Sequence, residues 1–388
     1  MIALLTDSVL TIAGFLLILL SIVILRQKSG NRLNRNLLVA FLLSKAFLMT
    51  RWFLFRFGIL RYEDFPFVYY ISCSAFFLLA PWLYLYIKSL CYKDFSLQRK
   101  VLAHFIPFAC FIVFAIVRVQ VQRSQSASEL TGLDNMLISH YWKIFWTANF
   151  VQIFFYIIAM LQTVHGYQTR IKKLYSSLER INLHWLVSLL TVIVLHWLFV
   201  VSRGTLSLLN ANVGNLTSML DLFSITIFLV FTTILVFKGL QQLNIFSGIE
   251  RKPKYANSKI PESDVQKYMQ QLTHYMKTQK PYLTPSLTID DLSQKLSIPG
   301  WQLSQVINTS FHQNFFNFIN NYRIEEAKRL MMEPSNNKTT ILEILYDVGF
   351  NSKSTFNDVF KKHTGMTPSE FKKSIQNREG MILQYGEQ

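Results

Sequence analysis

Seven apolar segments occupy most of the first 240 residues of this chain. Each is long enough to cross the hydrocarbon core of a bilayer, which takes about 20 residues of α-helix. Hydrophobic residues make up 51% of the chain and charged residues 16%, which is too apolar for a wholly soluble protein. The sequence therefore predicts an all-α fold that begins with a polytopic bundle of seven transmembrane helices over residues 1–240. The segments are Leu4–Leu25, Leu37–Phe57, Phe67–Leu90, Val101–Val119, Tyr141–Val164, Leu183–Ser202 and Leu216–Leu240.

Basic residues predict how this bundle is oriented, because Lys and Arg concentrate in cytoplasmic loops. In the first segment they follow the apolar run, which favours an anchor with its amino terminus outside and not a cleaved signal peptide. Seven crossings then place the carboxyl terminus in the cytoplasm, so we expect a multi-pass protein of the bacterial inner membrane. The inner segments predicted this way carry Arg26, Lys28, Arg32 and Arg35, then Lys93, Arg99 and Lys100, then Arg170, Lys172, Lys173 and Arg180, then Arg251, Lys252 and Lys254.

Two copies of one helical pattern follow near the carboxyl terminus. In the second copy, apolar residues at i, i+3, i+4 and i+7 predict a short core-facing helix that Gly349 ends, and Ser352 can cap the next helix. The first copy repeats the spacing from Ile289 to Leu296 and turns at Pro299-Gly300. Two helix-turn-helix units joined by a connecting helix are the expected arrangement. The spaced residues of the second copy are Ile341, Ile344, Leu345 and Val348.

The second helix of each copy has an outward face of polar and basic side chains. Such residues are suited to contact base edges and phosphates of double-stranded DNA. Because most of the net charge of +17 lies in the apolar part of the chain, DNA affinity has to come from local placement of these groups. The predicted DNA-binding residues are Trp301, Ser304, Gln305 and Asn308 in the first copy, and Lys353, Ser354, Asn357, Asp358 and Lys361 in the second.

The stretch from Leu287 to Lys373 resembles the AraC/XylS-type DNA-binding domain. The runs NYRIEEAKRL, DVGFNSKSTF and FKKHTGMTPSEF carry the resemblance, which covers less than a quarter of the chain. It implies a pair of recognition helices that enter successive major grooves on one face of the duplex. Two residues depart from the family pattern. Leu345 stands where relatives usually have a small residue, and Asp358 introduces an acid that can accept from cytosine but repels phosphate.

The remaining carboxyl-terminal segments divide by composition. Residues 241–262 are polar and broken by prolines, which predicts a cytoplasmic linker. Residues 263–280 predict an amphipathic helix, residues 281–376 the DNA-binding domain and residues 377–388 a tail. The apolar stripe of the amphipathic helix fits either a two-heptad dimer seam or a face packed on the first helix-turn-helix. It consists of Val265, Tyr268, Leu272 and Tyr275.

Four polar residues inside the apolar segments are candidates for a signal site, since charge at bilayer depth is costly and usually faces the bundle interior. They are Arg51, Asn149, His196 and Asp221, which the predicted orientation places at similar depth in the outer half. We expect an outward-opening pocket in which Asp221 partners Arg51 and which binds a small ligand or reports an envelope state. The alternative is a pair that only locks two helices together.

Catalytic chemistry is not indicated. The three cysteines and eight histidines lack metal-ligand spacing, and we find no phosphate-binding loop or nucleophile motif. We therefore expect no enzyme, no metal and no cofactor, but a membrane-bound, sequence-specific transcription regulator that couples a membrane or extracytoplasmic signal to a promoter. RNA polymerase and a second copy of the chain are candidate further partners. Two alternatives are a membrane receptor whose carboxyl-terminal domain binds a protein, and a transporter-like protein with an appended regulatory domain.

Overall fold

A computed structural model describes residues 2–26, 31–61, 63–124, 132–178, 181, 184–208, 216–243, 260–333 and 339–385. In that part of the chain every regular element is helical, as the sequence predicts. The chain divides into two compact units. The amino-terminal unit comprises Met1–Gly166 and Leu183–Arg251, and the carboxyl-terminal unit comprises Tyr167–Asn182 and Lys252–Gln388.

The amino-terminal unit contains seven stretches of helix long and apolar enough to cross a membrane. The third predicted segment is divided into two helices, because the chain makes a turn at Ser74 and Ala75 before the helix resumes. The helices are α1 (Ile2–Arg26), α2 (Arg32–Arg56), α3 (Pro66–Cys73), α4 (Phe76–Cys91), α5 (Ile106–Ser124), α6 (Gly132–Ile171), α7 (His184–Leu208) and α8 (Leu216–Leu243), with a 3-10 helix at Arg99–Phe105 before α5.

Aromatic side chains fill a large part of the space between these helices. Phe77 of α4 stacks on Phe111 of α5 with ring centroids 4.3 Å apart, and Tyr141 and Phe145 of α6 close the same cluster. All four rings are large apolar bodies whose offset and edge contacts stabilise packing beyond the area they bury. On the other side of the unit α1 packs against α2 and α8, and α7 packs against α8.

The carboxyl-terminal unit has two hydrophobic cores, one for each copy of the repeated pattern. Leu303 and Ile307 lie in the first, and Phe356 and Phe360 lie in the second, all with no exposed surface. The copies are therefore two folded bodies and not merely similar strings of sequence. Their helices are α9 (Glu262–Gln279), α10 (Ile289–Leu296), α11 (Gly300–Ser310), α12 (Phe315–Met332), α13 (Ile341–Asp347), α14 (Lys353–Thr364) and α15 (Pro368–Tyr385).

The segments around these cores can be compared with the predicted divisions. Helix α9 buries Leu272 and Met276 in the first core, as expected if this helix packs on the first helix-turn-helix. Helix α15 continues to Tyr385, so most of the predicted tail is helical. The predicted linker lies largely outside the described residues, which resume at Ile260.

Candidate nucleic-acid interface

The first helix-turn-helix consists of α10 and α11. Thr288 accepts a hydrogen bond from the amide of Asp291, and the Asp291 carboxylate accepts one from the amide of Thr288, which satisfies free donors at the start of α10. Ser297 ends the helix in the left-handed region, at φ 54°. Three residues of α11 then turn inward and hold it on the core, which leaves its opposite face outward. They are Leu303, Val306 and Ile307.

The outward face of α11 is neutral. The predicted readers Trp301, Ser304, Gln305 and Asn308 are all half-buried, and the helix sequence GWQLSQVINTS contains no charged residue. Asn308 departs from the expectation of a free base reader, because its amide nitrogen donates to the Ser304 carbonyl at 2.6 Å. This face can therefore distinguish bases by hydrogen bonds and shape but adds no formal charge toward phosphates.

The second helix-turn-helix consists of α13 and α14. Thr340 and Glu343 form the capping box predicted at the start of α13, and the hydrogen bond from the Thr340 amide lowers the pKa of Glu343. Gly349 has φ +88°, and a Cβ there would lie 2.6 Å from the carbonyl oxygen of Leu283. Leu345 is fully buried in the second core, so this departure from the family pattern is accommodated by packing.

The outward face of α14 is charged. Lys353, Ser354, Asp358 and Lys361 are exposed, and Asn357 is half-buried. Ser352 caps the helix by accepting from the Thr355 amide at 3.4 Å. Lys372 of α15 is directed elsewhere, since its ammonium donates to the Thr339 carbonyl just before α13. Of the second helices of the two copies, α11 carries no basic residue and α14 carries exposed lysines.

Helix α12 joins the two cores, and Arg323 at its middle is fully buried. Its guanidinium donates to the Tyr282 carbonyl at 2.7 Å, the Thr284 carbonyl at 2.9 Å and the Asn320 side chain at 3.1 Å. The same group lies 5.4 Å from the centroid of the Phe350 ring, in the second core. A buried cation needs its donors satisfied, and here most of the acceptors are backbone carbonyls.

A short segment between α6 and α7, Lys172–Ser177, is built into this same unit. Its backbone exchanges hydrogen bonds with the first helix-turn-helix: the Ile289 amide donates to the Leu174 carbonyl at 2.9 Å, and the Ser176 amide donates to the Leu287 carbonyl at 3.0 Å. Tyr175 and Thr288 form an isolated antiparallel bridge. Residues that precede the first helix-turn-helix by more than 100 positions are therefore part of the carboxyl-terminal unit.

Ser176 is the most enclosed residue of this segment, with 1% of its surface exposed. Its hydroxyl donates to the Leu287 carbonyl at 2.6 Å, and its carbonyl accepts from Asn320 and Arg323 at 3.3 and 3.4 Å. Asn351, in the turn of the second helix-turn-helix, lies 3.4 Å from the Ser177 hydroxyl. Sequence reasoning missed this contact, because the basic residues of the segment were assigned to membrane topology alone.

The four candidate signal residues all lie in the amino-terminal unit. Arg51 and Asp221 line one cavity, but the predicted pairing between them is wrong: Asp221 lies 2.7 Å from Arg203, and Arg51 donates to the Ser72 hydroxyl and the Cys73 sulfur. Both arginines line the cavity, and Arg203 of α7 is the one whose guanidinium contacts the Asp221 carboxylate.

His196 and Asn149 lie close to that cavity without lining it. The His196 ring nitrogen Nδ1 is 3.0 Å from the carbonyl of Ser224, whose residue does line the cavity. Asn149 is buried, and the next residue, Phe150, lines the cavity. The predicted set is therefore gathered around one place, with two members as lining residues.

Comparison with known proteins concerns the carboxyl-terminal unit. Residues 292–374 match a family model described as a helix-turn-helix domain. The chain is 32% identical over 92 residues to the Msm operon regulatory protein of Streptococcus mutans, covering 24% of this chain and 32% of that protein. It is 28% identical over 94 residues to the regulatory protein SoxS of Escherichia coli strain K12, covering 24% of this chain and 82% of SoxS.

A third relative is an uncharacterized HTH-type transcriptional regulator of Pseudoalteromonas carrageenovora, 30% identical over 91 residues. That alignment covers 24% of this chain and 52% of the relative. The chain therefore spans about a third of the Streptococcus mutans protein and about half of the Pseudoalteromonas protein. No solved structure matches the chain. The matched residues begin within α10 and end within α15, so they include most of both helix pairs and the whole of the connecting helix. The carboxyl-terminal region of this chain is an AraC-type helix-turn-helix domain.

Proposed function

We propose that this chain is a membrane-bound, sequence-specific DNA-binding transcription regulator, with seven helices in the bilayer and the helix-turn-helix domain in the cytoplasm. The surface of the apolar helices supports the membrane assignment. Phe15 and Leu102 are each 67% exposed, and Phe155 is 63% exposed. Large apolar side chains presented over long helices are costly in water and favourable against lipid. The basic residues of the predicted inner segments support an amino terminus outside.

Coupling between the apolar helices and the helix-turn-helix domain is supported by one observation: Lys172–Ser177 is part of the carboxyl-terminal unit. This segment directly follows α6 and precedes α7, so it is covalently tied to two apolar helices. It also supplies backbone and side-chain partners to Leu287, Ile289 and Arg323. A change in the positions of the ends of α6 and α7 would therefore move groups that complete the first helix-turn-helix.

This route differs from one through the linker after α8. The segment after α6 makes hydrogen bonds with both helix-turn-helix units. Ser176 donates to the Leu287 carbonyl beside the first, and Ser177 accepts from Asn351 in the second. We infer that a signal shifts the population of the DNA-binding arrangement through this segment.

Topology is the first test. A reporter fused after Gln388 should be active only in its cytoplasmic form, and a reporter at the amino terminus only in its extracytoplasmic form. A periplasmic Gln388 would exclude the proposal, because DNA is not available there.

Coupling is tested with a matched pair of variants in the full chain. Leu174 packs on the first core, so Leu174→Glu should lower promoter occupancy in chromatin immunoprecipitation with sequencing. Leu97 lies in another predicted inner segment and is 54% exposed, so Leu97→Glu should leave occupancy unchanged. Equal occupancy for the two variants, at equal protein levels, would contradict a role for the segment. Promoter occupancy that survives Lys353→Gln together with Asn357→Ala would instead favour the protein-binding alternative.

A further inference from the structure

A cavity of about 510 Å³ lies in the amino-terminal unit, within the range of pockets that hold small organic molecules. Residues of α1, α2, α4, α6, α7 and α8 line it, so most of the apolar helices contribute to one site. Its walls are largely aromatic, which suits a ligand with a flat or apolar part. The aromatic lining residues include Trp52, Phe76, Trp142, Trp146, Phe150 and Phe199.

The charges in this cavity are strongly unbalanced. Four cations line it, Lys45, Arg51, Lys143 and Arg203, against one acid, Asp221. Asp221 lies 2.7 Å from Arg203 and compensates it. Among the residues that the structure describes, the other three cations make no salt bridge. The cavity therefore presents uncompensated positive charge inside an apolar unit.

The contacts of Arg51 and Lys45 are with neutral groups. Arg51 donates to the Ser72 hydroxyl at 2.9 Å and lies 4.7 Å from the centroid of the Tyr69 ring. The Lys45 ammonium lies 4.1 Å from the centroid of the Phe228 ring. Cation–π contacts of this kind offset part of the cost of burying a charge, but they leave its formal charge unneutralised.

Lys45 is also poorly placed to reach water at the ends of its helix. In α2 it lies 13 residues after Arg32 and 11 before Arg56, about 20 Å and about 16 Å along the helix axis. A lysine side chain cannot extend its ammonium over such distances, so this lysine has to be accommodated within the unit. Intramembrane cations of this type mark ligand or ion sites.

We propose that this cavity binds a small organic anion: a carboxylate, sulfonate or phosphate monoester on an aromatic or acyl body. The anionic group would meet Lys45 and Arg51, and the apolar body would lie against the tryptophan and phenylalanine walls. This inference rests on the proposed sensing function and names the class of its signal. A cationic ligand would face repulsion from three unpaired positive charges, and a neutral one would leave them unpaired.

Binding is measured on the full chain in phosphatidylcholine nanodiscs by quenching of tryptophan fluorescence. The probe is 4-iodobenzoate, whose heavy atom quenches nearby indoles, and the matched neutral probe is 4-iodobenzyl alcohol. Saturable quenching by the benzoate, with an apparent affinity at least about tenfold above that of the alcohol, is expected for a cationic site. Equal affinity for the two probes would overturn the proposal.

Substitutions then test which cations of the cavity bind the anionic group. Lys45→Met and Arg51→Gln should each weaken benzoate binding about tenfold, whereas Lys238→Met, the same kind of change outside the cavity on α8, should not. Asp221→Asn should tighten binding a few-fold, because it frees Arg203, and misfolding cannot imitate a gain in affinity. Unchanged binding in Lys45→Met and Arg51→Gln, or loss of affinity in Asp221→Asn, would contradict the assignment.

The last arm separates a soluble anion from a lipid headgroup. Nanodiscs with phosphatidylglycerol should weaken benzoate binding if the headgroup occupies the site, and leave it unchanged if the site takes soluble anions. In either outcome Lys45→Met must remain defective, and a normal Lys45→Met in both lipids would overturn the proposal. Because quenching requires no DNA, its failure would reject this ligand class while promoter occupancy by the Leu174 and Leu97 variants still decides the proposed function.

Discussion

The two helix-turn-helix units have the same helix order and capping design but differ in charge and support. The recognition helix of the first, α11, is neutral, and its unit is joined to Lys172–Ser177 and to α9. That of the second, α14, carries Lys353, Lys361 and Lys362, and its described contact with that segment is a hydrogen bond through Asn351. Two copies of one fold therefore present surfaces of different charge.

This difference suggests that the two helix-turn-helix units contribute differently to DNA binding. Phosphate contacts supply most of the salt-dependent affinity and base contacts supply discrimination. We expect the second unit to anchor the domain on the duplex and the first to read bases in an arrangement that the segment after α6 completes.

Arg323→Met should have the largest effect, because it removes the buried cation shared by both cores. The carbonyls of Tyr282 and Thr284 would lose the donor that Arg323 supplies, and the Ser176 carbonyl would keep only Asn320, which should cost about 3–5 kcal/mol of unfolding free energy. Hydrogen exchange of the full chain, followed by mass spectrometry, should show faster exchange in both helix-turn-helix units. Lys328→Met, which removes an exposed pair with Glu325 on the same helix, is the control. Protection equal to wild type in Arg323→Met would show that Arg323 does not hold the units together.

The two turn glycines should respond differently to alanine. Gly349 has φ +88° and a Cβ there would meet the Leu283 carbonyl oxygen at 2.6 Å, so Gly349→Ala should cost about 2 kcal/mol or more. Gly300 begins α11, and its Cβ would meet the movable Asp290 carboxylate at 3.3 Å, so Gly300→Ala should be close to neutral. Thermal unfolding of the full chain in nanodiscs measures both.

Gly365→Ala tests the cost of a positive φ without a steric clash, since Gly365 has φ +78° and no atom within 4 Å of an added Cβ. Its cost should fall between those of Gly300→Ala and Gly349→Ala. If Gly300→Ala proved as costly as Gly349→Ala, the turns of the two units would be equivalent and this part of the comparison would be wrong.

The salt dependence of DNA affinity should differ between variants of the two helix-turn-helix units. Lys361→Gln should reduce the slope of log affinity against log salt by about 1, because one phosphate contact is lost. Gln305→Ala should leave the slope unchanged and cost about 1–3 kcal/mol on the preferred site, with less loss on other sequences. Lys372→Gln is the control for charge, since its ammonium already binds the Thr339 carbonyl. Fluorescence anisotropy on sites from the immunoprecipitation gives both quantities. Equal slope changes for Lys361→Gln and Gln305→Ala would remove the proposed division.

The sequence was sufficient to predict helices, caps and cores, because these follow from local spacing. The capping box of Thr340 and Glu343 and the burial of Phe356 and Phe360 are read from residues within a few positions of each other. Ser176 and Arg323 form a hydrogen bond across 147 positions of sequence, and no periodicity connects them. Likewise the sequence analysis paired Asp221 with Arg51 from depth alone, whereas the packing of α7 against α8 brings Arg203 to Asp221.

The smallest expected effect is a pH response in the second unit. Hydrogen bonds from the Thr340 amide and hydroxyl hold the pKa of Glu343 below its ordinary value of 4.5. A carboxylate with a lowered folded-state pKa stabilises the fold above the unfolded value, and that contribution is lost as pH falls through the lowered pKa. Hydrogen exchange in α13 of the full chain should therefore lose protection below about pH 4.5, after correction for the intrinsic rate. Glu343→Gln should lower protection at neutral pH and flatten this dependence, whereas Glu325→Gln, on a glutamate of α12 that caps no helix, should preserve it. An unaltered pH dependence in Glu343→Gln would mean that the cap of α13 does not contribute to the stability of the second unit.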